Sequence, residues 1–394
     1  MRSLSTSSNP REKDMHRFLM TTALALAGFT TSTAVADTIT VCADGCDHTS
    51  INDAIDASSH GDVIQLSAET YSEGSEINLD GKAITLRGTT GESGAPTSIL
   101  DGVGKHQLLI CTTGETSGTV LRNLLITRGF GQGFGGGLYV ENASPSLFNC
   151  HFVLNTAFFG GGLAAQQSRM SLDHCLFHHN DSFSGGGADF KNSSVTMHGC
   201  TFNENFATQL GGGVSCVGQG KTTNPNTNRF TDCMFVGNRT GSVDTAADAG
   251  GSGMVIANCF VGLANCRFTD NQTFGQGPAL LDNTSNGNSA LLVIHDCAFC
   301  ANTTTPSGSD QIVGEYVELG DGNCIAVSCD DCPGPVEGDL DGDGVVDAAD
   351  FVLLRDKIGV EALGCVVADT NGDGEVDGAD FAYVLGYWGL CSAP

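Results

Sequence analysis

Apolar and polar positions alternate with a long period over residues 144–217. The stretch reads as three copies of one pattern: SPSLFNCHFVLNTAFFGGGLAA, RMSLDHCLFHHNDSFSGGGADF and SVTMHGCTFNENFATQLGGGVSC. Aligned, they place Cys150, Cys175 and Cys200 at intervals of 25 residues. Phe152, Phe177 and Phe202 follow two residues later, and Asn155, Asn180 and Asn205 five residues later. Leu147, Leu172 and Met197 stand three residues before each Cys, and a triple glycine closes each copy. A fixed period of this length marks a stacked repeat architecture.

Within each copy the apolar positions alternate with period two, the signature of strands. The positions three before and two after the Cys can share an interior only if the chain bends between them. Asn, Asp, His and Gly gather there, at Asn149, Asp173, His174, His198 and Gly199. A second apolar pair follows the glycines: Leu163 and Ala165, Ala188 and Phe190, Val214 and Cys216. Each copy therefore predicts three short strands joined by bends, one coil of a parallel β-helix with successive coils ~4.8 Å apart. Asn suits such bends because it tolerates left-handed backbone, and stacked amides can bond along a ladder.

Upstream, Thr49–Ser58 puts Ile51, Ala54 and Ile55 on one helical face, with Thr49 or Ser50 as N-cap. A short amphipathic helix there would cover the open apolar end of the solenoid. GDVIQLSAETYSE, INLDGKAITLRG and SILDG then read as strands bounded by turns, and LRNLLITRG (121–129) as a coil without the Cys. Downstream the copies recur at Cys233, Phe235 and Asn238, at Cys266, Phe268 and Asn271, and at Cys297, Phe299 and Asn302. Extra residues fall at 218–228 and 241–253, and insertions on one edge of a solenoid often carry its binding face.

These phrases resemble two families. The opening resembles the first coils of the pectin-lyase-like superfamily, and the Phe-x-x-Asn copies over about 120–302 resemble the repeats of chlamydial polymorphic outer membrane proteins. The resemblance implies an all-β, right-handed parallel β-helix solenoid. No β-barrel translocator sequence follows the repeats.

The composition changes abruptly after DDCPGPVEG (330–338), which reads as a linker. Between Glu337 and Asp380 there are 13 acidic and two basic residues. Their order is regular. Asp339, Asp341, Asp343, Asp347 and Asp350 occupy positions 1, 3, 5, 9 and 12 of a loop with Gly344 at position 6. Asp369, Asn371, Asp373, Asp377 and Asp380 repeat it 30 residues later. Calcium takes six to eight hard oxygens, and this spacing delivers them. An apolar helix-like segment follows each loop, FVLLRDKIG and FAYVLGYWG. Loop plus following helix, with Asp at position 12, resembles type I dockerins, and the resemblance implies a small α-helical module that binds Ca2+ and docks on a cohesin-like or cell-surface protein through residues 339–394. Positions 10 and 11, paired hydroxyl residues in cellulosomal dockerins, are here Ala348-Ala349 and Gly378-Ala379.

Net charge and cysteine usage narrow the setting. A formal charge of −28 argues against a nucleic-acid partner. Arg11, Lys13 and Arg17 precede the apolar run 18–29, and Ala34-Val35-Ala36 forms a cleavage site, so residues 1–36 read as a secretory leader, with Met15 an alternative start. No segment after it is long and apolar enough to span a membrane. Residues 37–329 are then the solenoid, and export permits disulfides. Cys42 with Cys46, and Cys324, Cys329 and Cys332, are the disulfide candidates, with pairing open. The ladder Cys150 to Cys297 replaces core residues and reads as packing rather than metal binding.

Candidate chemistry on the solenoid is sparse. His178, His179 and Glu204 fall on adjacent coils facing outward, where acid–base work is conceivable, though a solvent face explains them as well. His198 sits at a bend beside Cys200, and Asp189 with Lys191 is a weaker candidate. Of the catalytic signatures carried by the enzymes of the pectin-lyase-like superfamily, none is intact. The sequence thus favours a secreted, calcium-binding solenoid that engages a polysaccharide or a surface. The alternative is a polysaccharide lyase or glycoside hydrolase.

Overall fold

A computed structural model describes residues 36–218, 227–241, 249–283, 291–305, 310–320 and 322–332. Most of the two insertions, nearly all of the expected leader, the expected linker beyond Cys332 and both expected calcium loops lie outside the described residues. Among the described residues, four sheets of eleven, ten, seven and nine strands run along the solenoid, the seven-stranded one only from Phe130 onward, with every strand pair parallel. One coil shows the path. Arg169–Asp173 lies in the eleven-stranded sheet, Leu176–His178 in the ten-stranded, Asp181–Ser184 in the seven-stranded and Ala188–Lys191 in the nine-stranded. The coil thus has four strands, one more than the apolar pattern predicts. The extra strand follows the Asn and precedes the glycines.

Register converts the sequence repeat into columns. Phe152 pairs with Phe177 and Phe177 with Phe202, and their rings stack at 4.8 and 4.6 Å within 6° of parallel. The column continues through Phe235, Phe268 and Phe299, all fully buried. Cys150, Cys175, Cys200, Cys233, Cys266 and Cys297 form a second buried column of free thiols. Leu124 holds the place of the Cys in the coil before them. Burial pushes the thiols of Cys150, Cys200 and Cys233 well up from the ordinary range, so they pack as small apolar groups.

The bends divide labour differently from the sequence expectation. The residue before each Cys is left-handed, as at Asn149, His174 and Asp232. The stacked Asn residues are not. Left-handed backbone falls one residue earlier, at Leu154, His179 and Glu204. The Asn side chains turn inward instead. Asn180 Nδ2 donates to Phe152 O at 2.8 Å and to Asn205 Oδ1 at 3.0 Å, and the pattern repeats from Asn155 to Asn302. The glycine turn needs its glycines. Gly160 has φ +62°, and a Cβ on Gly162 would stand 2.6 Å from Gly187 O.

At the N-terminal end the helix Ile51–Ala57 buries Ile51, Ala54 and Ile55 as its spacing requires. Ser50 is the N-cap, and Glu73 bonds both its hydroxyl and the Ile51 amide at 2.6 and 2.7 Å. At the far end, disulfides join Cys300 to Cys329 and Cys324 to Cys332, with Cys42–Cys46 beside the helix. Cys300 was not among the disulfide candidates, because it directly follows the repeat residue Phe299. Among the described residues no helix is long and apolar enough to cross a membrane.

Candidate functional site

Three groupings concentrate polar or aromatic chemistry, two on the outer surface and one largely buried. The first is the corner predicted from sequence. His178 ends a strand, and His179 and Glu204 occupy the same left-handed corner on successive coils, with φ of 54° and 53°. His179 Nδ1 lies 3.2 Å from Glu204 Oε2 and 3.3 Å from His178 Nδ1. The structure therefore brings all three together, on an open surface. About half of each of the His179 and Glu204 side chains is exposed, so the pair is screened and worth little to stability.

The second grouping is structural and centres on the buried His198. Asp173 Oδ1 accepts from His174 Nδ1 at 2.8 Å and from His198 Nδ1 at 2.9 Å, while His198 Nε2 faces Asp232 Oδ2 at 3.2 Å. Bonds to Asp173 and Asp232 raise the His198 pKa to about 10 against the opposing effect of burial. Burial would raise the Asp173 carboxyl, yet the two imidazoles outweigh it and hold it well below the usual range. His198 is thus an imidazolium clamped between carboxylates of neighbouring coils, a brace with no nitrogen left to accept a proton. Asp189 differs: burial raises its pKa to about 6, a value suited to a general acid. Its register neighbours are Ala164 and Ser215, so no second carboxylate flanks it on either adjoining strand, as glycoside hydrolysis ordinarily requires.

The third grouping was missed by the sequence reading. The seven-stranded sheet turns Phe134, Phe158, Phe159 and Phe183 outward, where Tyr139 of the next sheet joins them. Phe134 stacks on Tyr139 at 5.5 Å and on Phe159 at 5.4 Å, while Phe158 stacks on Phe183 at 4.6 Å. Phe158 meets Phe159 edge-on at 79°, so two short stacks join at a right angle. Phe158 is 48% exposed and Phe130, at the start of the same sheet, 41%. Phe130, Phe134 and Tyr139 line a groove of about 420 Å³ whose rim carries Glu76, Lys105 and His106. Gln107, also on the groove, anchors its amide to Gly135 O at 2.8 Å, which fixes that wall. A larger hollow of about 570 Å³ between Arg169 and Arg229 is lined by hydroxyls and amides and has no apolar floor.

The ten expected calcium ligands, Asp339 to Asp350 and Asp369 to Asp380, lie outside the described residues. The family described as right-handed β-helix region matches residues 110–299, and the dockerin type I domain matches residues 337–387. No curated protein matches the chain. Among solved structures, a pectin methylesterase from Aspergillus niger is similar at 15% identity, covering 72% of this chain and 85% of that one with a TM-score of 0.42. ORF18 of Geobacillus virus E2 is 13% identical over 72% of this chain, which spans only 59% of that protein, with a TM-score of 0.43. The pectate lyase Pel9A is 12% identical over 73% and 78% of the two chains, with a TM-score of 0.36.

Proposed function

We propose that this chain, a right-handed parallel β-helix followed by a type I dockerin module, is an exported protein that binds an extracellular polysaccharide without cleaving it. The observation that carries this reading is the aromatic groove. Flat, partly exposed rings offer the apolar face that a sugar ring stacks on, and Lys105, His106 and Glu76 offer partners for its hydroxyl or carboxylate edge. An exposed apolar patch rimmed by polar groups is a mark of a binding site. A wholly apolar partner would leave those rim groups unpaired. The rings spread over three successive coils, Phe134, Phe158 with Phe159, and Phe183, which suits an extended chain better than a small compact ligand.

The remaining parts fit the same role. Export supplies the oxidising setting in which the three disulfides form. Asp339, Asp341, Asp343, Asp347 and Asp350, with Asp369, Asn371, Asp373, Asp377 and Asp380, would hold two calcium ions. That module would tether the solenoid to a cohesin-like or cell-surface protein, and its Ala348-Ala349 and Gly378-Ala379 pairs would present a more apolar contact than paired hydroxyls.

Native affinity gels cast with a panel of neutral and uronic-acid polysaccharides test the reading. At least one glycan should retard the protein, and Tyr139→Ala and Phe134→Ala should each weaken that binding at least ~10-fold, about 1.4 kcal/mol. His179→Ala and Glu204→Ala should each leave it unchanged. Retardation that survives both aromatic changes, or the absence of any retarding glycan, would dispose of the groove as the binding site.

A further inference from the structure

We infer that His178, His179 and Glu204 form a zinc-class metal site on the outer corner of the solenoid. Each of the three offers a ligand atom within 4.8 Å of those of the other two, with His179 Nδ1 facing both His178 Nδ1 and Glu204 Oε2. Two of the separations, 3.3 and 3.2 Å, match the edge of a ligand tetrahedron. A tetrahedron with metal–nitrogen distances of roughly 2.0–2.1 Å has edges of about 3.3–3.4 Å.

Hydrogen bonding alone serves this trio poorly. His179 Nδ1 faces both His178 Nδ1 and Glu204 Oε2. One ring nitrogen directs either one N–H or one lone pair into that space. If it donates to Glu204, the His178 nitrogen faces an occupied donor. If it accepts from His178, it presents a lone pair to a carboxylate. A cation bound by all three atoms removes the conflict. The neighbouring Asp173 cluster is the contrast: there a single carboxylate oxygen accepts from two imidazoles at 2.8 and 2.9 Å, and every contact is an ordinary hydrogen bond.

The backbone holds the ligands ready. His179 and Glu204 donate their amides along the ladder, to Asn203 O at 3.2 Å and Val236 O at 2.9 Å. Each also precedes a fully inserted Asn, Asn180 or Asn205, that pins the corner from inside. The corner backbone is therefore set before binding, and the exposed side chains are what a metal would order. Two imidazoles and one carboxylate suit Zn2+, with Cu2+ binding more tightly by the usual order of divalent affinities. Three protein ligands leave the fourth position to water or an outside ligand, and the exposure of His179 and Glu204 leaves it reachable.

The test is calorimetric titration of ZnCl2 into the untagged full chain, kept in excess Ca2+ so that the C-terminal carboxylates are occupied. Co2+ provides a parallel visible-absorption readout of tetrahedral ligation. One Zn2+ per chain is expected. His179→Asn, which keeps a residue tolerant of left-handed backbone, and Glu204→Gln should each weaken it at least ~10-fold and abolish the Co2+ band. His295→Asn, a histidine elsewhere on the solenoid, should change neither. Circular dichroism should show all three variants folded. Failure of the wild-type chain to bind Zn2+, or unchanged binding in both His179→Asn and Glu204→Gln, overturns the site. Either result leaves the glycan reading standing, because its gels contain no transition metal.

Discussion

Asn205→Ala should lower the unfolding free energy of the solenoid by roughly 3–6 kcal/mol, read from the shift of its urea unfolding curve. Asn205 Oδ1 accepts from the Asn180 amide at 3.1 Å and from Asn180 Nδ2 at 3.0 Å. Its own Nδ2 donates to Phe177 O at 2.9 Å and Asn238 Oδ1 at 2.9 Å. Alanine unpairs the Asn180 amide and one Asn180 Nδ2 proton and takes a bond from Phe177 O, while Asn238 Oδ1 keeps the Asn205 amide and Asn180 Nδ2 keeps Phe152 O. Each buried bonding position left empty costs about 1–3 kcal/mol. Water has no easy route in, since Asn155, Asn180, Asn205, Asn238 and Asn271 are all essentially fully buried. Asp at the same place should do no better, because it cannot donate and would bury a charge. Leu154→Asn is the matched control. It changes an exposed left-handed corner one residue before the ladder and should shift stability by no more than about 1 kcal/mol. If Asn205→Ala were as mild as the control, the ladder would be decoration rather than the element that fixes the coil.

Calcium removal should unfold the C-terminal module and leave the solenoid intact. In two short loops, nine Asp and one Asn would supply the ligands, and at neutral pH the carboxylates repel one another unless a cation gathers them. The two apolar segments beside them are too short to be stable helices alone. Binding is therefore folding energy, about 2.7 kcal/mol per site at a calcium concentration 100-fold above the dissociation constant. The chain carries one tryptophan, Trp388, and it lies in the segment after the second loop. Its emission in the full-length protein should shift to the blue with calcium and return to the red with chelator. The far-UV β signal of the solenoid should stay constant. An emission spectrum indifferent to calcium would remove the metal from the module.

The interior of the solenoid was legible because burial is what repeats. Cys175, Phe177 and Asn180 recur as a set, since each fills a column that the next coil must continue. The seven-stranded sheet was not legible for the opposite reason. Along Thr156–Phe159 and Asp181–Ser184 only one or two positions point inward, and the outward ones include Phe158 and Phe183. Phenylalanine next to a glycine run reads as core or loop, so neither the fourth strand nor its aromatic face announces itself. The partners of His198 were hidden for a related reason: Asp173 lies 25 residues away and Asp232 lies 34, distances that only the coil register converts into contact. The dockerin match at 337–387 stands at the other extreme, readable because its carboxylates recur at a fixed local spacing that needs no coil register.

The most direct test of binding without cleavage is product release from the same polysaccharide panel. The purified full-length protein, calcium-loaded, is incubated with each glycan that retards it, and new reducing ends and unsaturated uronic products are assayed over time. No product above a protein-free blank is expected, even where binding is tight. Steady product release that disappears in Asp189→Asn would contradict the account and make the buried Asp189 carboxyl the centre of an enzyme.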